Sequence, residues 1–225
     1  MRPNENFAKI KKITAVALFA AVAYVCMLVV KFQGIAGFLT LDVKDVVIVL
    51  CSLLFGPVYG LFIAVFVPFM EMVTVSATGP YGFIMNALSS VTFSVVASVI
   101  YKYKKTFYGA IIGLVSAVFA TTAVMLLANL FITPLYLGVS ISDVAVMIPK
   151  ILLPFNLVKA ILNAALVLLF YKPLSQVLKK MGFIESGNSA DTVKSTKRAR
   201  SVIVSLIAVA VVVASLLIIF LVLDA

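Results

Sequence analysis

Asn156, Lys159 and Asn163 stand at i, i+3 and i+7 within Ile151-Leu-Leu-Pro-Phe-Asn-Leu-Val-Lys-Ala-Ile-Leu-Asn163, a run that is otherwise apolar. On an α-helix this spacing sets all three along one stripe, and the surrounding stretch is long enough to cross a bilayer. An ammonium group at such a depth is costly unless something answers it. The stripe therefore faces a common interior rather than lipid and is a candidate ligand site.

Two further amides fall at comparable depths. Asn86 follows the Gly79-Pro80-Tyr81-Gly82 turn, and Asn129 comes late in the fifth apolar helix. In hydrocarbon an amide must find partners in protein, water or a ligand. One outcome is that these amides bond one another and join helices; the other is that they converge with Lys159 on a cavity. For Lys159 the structural alternative is an ion pair with Glu71, read here as the only acid within a span. Tyr24, Tyr81, Phe83, Tyr136 and Phe155 either stack on a planar ligand or form an interfacial belt.

Composition narrows what these groups serve. The 225 residues are 64% hydrophobic and 12% charged, with a net charge of +10 and a mean hydropathy of +1.23, which reads as a polytopic membrane protein. There is no His, so imidazole bases, Ser-His dyads and His-ligated metals are excluded. Paired carboxylates and a nucleophile with its base are lacking, so no enzyme, catalytic residue or metal site is expected. No Gly-x4-Gly-Lys-Ser/Thr run marks ATP hydrolysis, and residues 13–101 and 107–171 show no duplication. Cys26 and Cys51, in separate apolar runs, read as core thiols rather than a disulfide. The basic N-terminus, Arg2 to Lys12, leads into the first apolar run without a small-residue cleavage site, so that helix is expected to be retained.

The elements that must position the site follow from apolar runs at 13–30, 46–70, 81–101, 107–137, 146–171 and 201–223. Gly56-Pro57 interrupts the second, and such a pair ends helices or starts turns. With a reversal there, the N-terminal lysines, Lys102 to Lys105, Lys172 to Lys180 and Lys194 to Arg200 all fall on the cytoplasmic side, as the positive-inside tendency requires. Reading through it as one crossing splits them. The reversal leaves a short second helix, residues 44–55, and external connections at 31–45, 76–80 and 137–145. The polar stretch from Glu185 to Thr196 reads as a solvated linker. Three segments are expected: a membrane domain at 1–180, a basic linker at 181–200 and a further transmembrane helix at 201–225.

Leu39-Thr-Leu-Asp-Val-Lys-Asp45, Leu54-Phe-Gly-Pro-Val-Tyr-Gly60, Thr78-Gly-Pro-Tyr-Gly-Phe-Ile-Met-Asn86, Asn129-Leu-Phe-Ile-Thr-Pro-Leu-Tyr136 and Leu153-Pro-Phe-Asn-Leu-Val-Lys159 together resemble the riboflavin-binding S component of energy-coupling factor (ECF) transporters. The likeness spans about residues 8–180. It implies an all-α, six-helix membrane bundle, here with one additional C-terminal transmembrane helix, that captures a vitamin from outside. Such a subunit docks on a T component and two ATPase subunits, sits in the cell membrane with its N-terminus cytoplasmic, and needs no cofactor besides the transported riboflavin. By motif match, Asn129, Asn156 and Lys159 bind the isoalloxazine edge or ribityl chain, Leu39, Thr40 and Leu41 with Ala77, Thr78 and Gly79 supply walls, and Asn86 lines the site. Ala17 and Ala21 on the alanine-rich first helix meet the T component through a small-xxx-small spacing.

Loop one, Gly37-Phe-Leu-Thr-Leu-Asp42, carries no acidic residue just before it, and the helix at 201–223 is additional to the six-helix plan. Within the resemblance the alternative substrate is another vitamin or small metabolite, such as pantothenate; nucleic acid is not an expected partner.

Overall fold

A computed structural model describes residues 5–35, 38–183 and 206–218. Helix α1 (Glu5–Val29) leads into strands β1 (Lys31–Ile35) and β2 (Leu39–Asp42). Helices α2 (Lys44–Phe55), α3 (Pro57–Thr74), α4 (Gly79–Tyr103) and α5 (Phe107–Leu137) follow. Next, α6 (Ile141–Met147), a π-turn at Ile148–Leu152 and α7 (Leu153–Lys180) run on without a break as one stretch of 40 residues. Five helical stretches are long and apolar enough to cross a membrane. With the short α2 they make the six-helix bundle of a multi-pass membrane protein, and a further apolar helix, α8, occupies Leu206–Ile218.

The chain does reverse at Gly56-Pro57. Gly56 adopts φ +113°, a conformation that side-chain-bearing residues avoid, and Pro57 opens α3, where a missing N–H is harmless. The 12 residues of α2 reach about 18 Å, short of a ~30 Å hydrocarbon core. The apolar core runs from α1 through α2 to α5 and onto α7, with Phe19 edge-on to Phe55 at 5.8 Å between ring centroids. Small residues let α4 and α5 approach closely: a Cβ on Gly113 would meet the Ala97 carbonyl oxygen at 2.5 Å.

One end of the bundle gathers the basic clusters. Lys12 sits 4.9 Å over the Tyr59 ring, Lys172 sits 4.4 Å over Phe107, and Lys11 points at the carbonyls of Met181 and Gly182 at 3.4 Å. The first half of α1, the α2–α3 and α4–α5 turns and the end of α7 thus share a side, as the reversal demands.

The opposite end carries the hairpin, an addition to the all-helical expectation. Leu39 and Leu41 are buried, and β1 pairs antiparallel with β2, matching Lys31 with Asp42. Backbone polar groups entering an apolar bundle must be paired, and strand pairing does this for the first connection. At the third connection the helix starts earlier than expected, at Ile141, because Ser140 and Asp143 form a reciprocal capping box. Val212 and Leu216 of α8 pack against the cluster formed by Leu39, Leu41 and Leu162, with Ala208 and Ser215 buried. Most of the expected linker, from residue 184, lies outside the described residues, as do the ends of the run expected at 201–223.

Candidate functional site

Lys159 is 8% exposed and is answered by the hairpin. Its Nζ donates to Asp42 Oδ2 at 3.0 Å and to the Thr40 carbonyl at 3.2 Å. The same Asp42 oxygen accepts from Lys44 Nζ, at the start of α2, at 2.8 Å. The Lys159–Glu71 pair considered above is not formed. Glu71 instead binds Lys31 at 2.8 Å, accepts from Asn86 Nδ2 at 3.0 Å and lies 3.8 Å from Lys44. Nor is Glu71 alone among acids in the helices: Asp45 of α2 is 2% exposed and accepts a hydrogen bond from Ser90 of α4.

The helix pattern conceals Asp42 because it belongs to the connection, and the hairpin fold is what carries it over α7. Two ammonium groups on one carboxylate set its electrostatics. Burial alone would raise the Asp42 pKa, but Lys159 and Lys44 outweigh it and hold the carboxyl below the ordinary value. Such a pairing offsets the desolvation of its members, and removing one member is expensive. Lys31, Lys44 and Asp45 were outside the candidate set; the Asp-Val-Lys-Asp run at 42–45, in a chain with eight acids, is the signal that would have found the latter two.

The stripe on α7 faces inward as its spacing predicts. Asn156, Lys159 and Asn163 are buried and form, with Asp45, Ser89 and Thr121, the polar wall of one small cavity. Its free volume is about 10 Å³, room for roughly one water-sized sphere. A larger recess of about 280 Å³ lies between Leu41, Leu162, Leu166, Val212 and Leu216. Asn156 donates to Leu152 O, at the close of the π-turn, at 2.7 Å, and Asn129 donates to Met125 O at 2.7 Å while accepting from Thr133. The two amides thus bond back to their own helices rather than to each other, each using one of its two N–H donors.

The other candidates are more dispersed. Leu39 and Leu41 are buried and Thr40 is half-buried. Ala77 is exposed on the turn into α4, where the Ser76 hydroxyl accepts from the backbone of Thr78 and Gly79. Asn86 joins the Glu71 cluster, and Asn129 lies outside the cavity wall. Tyr81 and Tyr136 face each other at 6.2 Å between ring centroids. Ala17 and Ala21 are exposed on the outer face of α1. Cys51 is buried, Cys26 is half-buried, and both are free thiols.

The chain as a whole is similar to known proteins. A family model described as the substrate-specific component of ECF transporters matches residues 11–171. The riboflavin transporter RibU of Staphylococcus aureus (strain TCH60) is 30% identical over 188 residues, 80% of this chain and 98% of the relative. The riboflavin transporter FmnP of Bacillus subtilis (strain 168) is 25% identical over 163 residues, 68% of this chain and 86% of the relative. A solved S component of a bacterial ECF transporter superposes with a TM-score of 0.64 at 28% identity, covering 76% of this chain and 99% of that one.

Proposed function

The chain belongs to the substrate-specific components of ECF transporters, and from that premise we propose that it captures riboflavin outside the cell and delivers it to an energising module. The observation that carries this reading is the inward stripe of Asn156, Lys159 and Asn163 beneath the hairpin, in a chain whose two relatives named above are riboflavin transporters. A flat, neutral, partly polar vitamin needs apolar walls and a few fixed donors. Leu39, Leu41 and the tyrosines Tyr81 and Tyr136 supply the first; Asn129, Asn156 and Lys159 supply the second. Thr40, Ala77, Thr78 and Gly79 contribute backbone, and Asn86 steadies Glu71.

Binding on this reading is coupled to opening of the hairpin. Small-molecule pockets measure about 300–1,000 Å³, far more than the 10 Å³ of free space beside Lys159. The vitamin enters by displacing Asp42 and Thr40 from Lys159, and the ammonium group exchanges those oxygens for a ring or chain oxygen. No covalent step is involved and no cofactor is required. The basic end lies in the cytoplasm with the N-terminus, and Ala17 and Ala21 on α1 present a shallow surface to the T component, which brings two ATPase subunits.

Titrating riboflavin into the purified protein and following its fluorescence tests the assignment. Saturable quenching, with yellow protein after purification, supports it. Unquenched fluorescence, with saturable binding of pantothenate or another vitamin, replaces the substrate while keeping the subunit's role.

A further inference from the structure

Two residues that line the small cavity each hold a buried atom without a partner among the described residues: Thr121 Oγ1 on α5 and Asn163 Oδ1 on α7. Both residues are buried, at 5% and 2% exposure, and an orphaned polar atom at such depth is destabilising. Across the cavity stand Asp45, Ser89 and Lys159. Lys159 uses two of its three N–H donors on Thr40 and Asp42, which leaves a third.

These groups select the chemistry of an occupant. Asn163 Oδ1 accepts and does not donate, whereas the Lys159 ammonium donates and does not accept. A cation cannot accept from Lys159 and is repelled by it; an anion cannot donate to Asn163 Oδ1 and leaves it orphaned. The space admits about one oxygen-sized sphere.

We propose that the cavity is a binding site for a single neutral hydroxylic oxygen, donating to Asn163 and accepting from Lys159 or Thr121. The source is a water molecule in the ligand-free protein or a hydroxyl of the bound substrate. Only the second source rests on the riboflavin reading.

Thr122 supplies an internal control, because its Oγ1 is also buried and without a partner among the described residues, yet it is outside the cavity wall. Thr121→Val and Thr122→Val are compared in the full chain by thermal unfolding in detergent without ligand, and by affinity for riboflavin and for lumiflavin, which keeps the ring but lacks the hydroxylated chain. Trapped water predicts that Thr121→Val lowers Tm by about 2–4 °C, the loss of roughly one hydrogen bond in a chain of this size, while Thr122→Val leaves Tm unchanged or raises it. A substrate hydroxyl predicts an unchanged ligand-free Tm for Thr121→Val and a loss of about tenfold in riboflavin affinity that lumiflavin does not share. If the two variants match in every readout, or riboflavin and lumiflavin lose affinity equally, the proposal fails. The Tm comparison needs no substrate, so its failure is separate from failure of the riboflavin assignment.

Discussion

Lys159 on α7 and Lys44 on α2 converge on one oxygen of Asp42, at 3.0 and 2.8 Å. The carboxylate is therefore the hub, and its two cations are not equivalent to it. Asp42→Asn leaves two buried ammonium groups competing for a neutral amide, and the expected loss is about 3–5 kcal/mol. Lys159→Met still leaves Asp42 its contact with Lys44, so it costs less. Denaturation of both variants in detergent checks this; Lys159→Met as damaging as Asp42→Asn would contradict the hub.

Binding separates the same residues differently. Asn156→Leu and Lys159→Met each remove a donor from the α7 stripe and are expected to weaken riboflavin binding tenfold or more, about 1.4 kcal/mol. Pairing Lys159→Met with a stability measurement distinguishes lost affinity from lost fold. Unaltered affinity in both variants removes the site from this place.

The acid limb of stability belongs in part to Asp42. Burial pushes its pKa up, but Lys159 and Lys44 hold it below the ordinary 3.8. A carboxylate depressed on folding stabilises above its unfolded pKa, and that contribution fades as pH falls through the lower folded value. The Tm gap between the natural chain and Asp42→Asn should stay constant from about pH 5 to 8 and narrow below about pH 4. A gap already closing near pH 7 would contradict a lowered pKa.

Helix α8 has a seated side and a free side. Leu216 packs against the hairpin cluster, whereas Leu217 is 57% exposed. Leu216→Ala is expected to cost about 1 kcal/mol, below the roughly 2–5 kcal/mol of a fully buried truncation because Leu216 is only half-buried, and Leu217→Ala close to nothing. Equal effects in thermal unfolding would mean that α8 is not held by this face.

Close approach of α4 and α5 makes Gly113 intolerant. Its missing side chain lies against the Ala97 carbonyl, a backbone atom that cannot step aside. Gly113→Val should cost at least about 1–3 kcal/mol by overpacking, seen as a lower Tm.

The sequence by itself determined the helices, the reversal at Gly56-Pro57, the side on which the basic clusters gather and the inward direction of Asn156, Lys159 and Asn163. Each depends on short-range rules: apolar length against bilayer thickness, φ freedom at glycine, charge placement and the 3.6-residue repeat. Tertiary structure decided which acid answers Lys159, because Asp42 lies 117 positions away and only the β1–β2 pairing carries it there. It also decided that Asn129 and Asn156 turn back on their own helices, and that the free space lined by Asn156, Lys159 and Asn163 is the size of one oxygen. Pairing across such separations is set by packing of the whole bundle, on which local periodicity is silent.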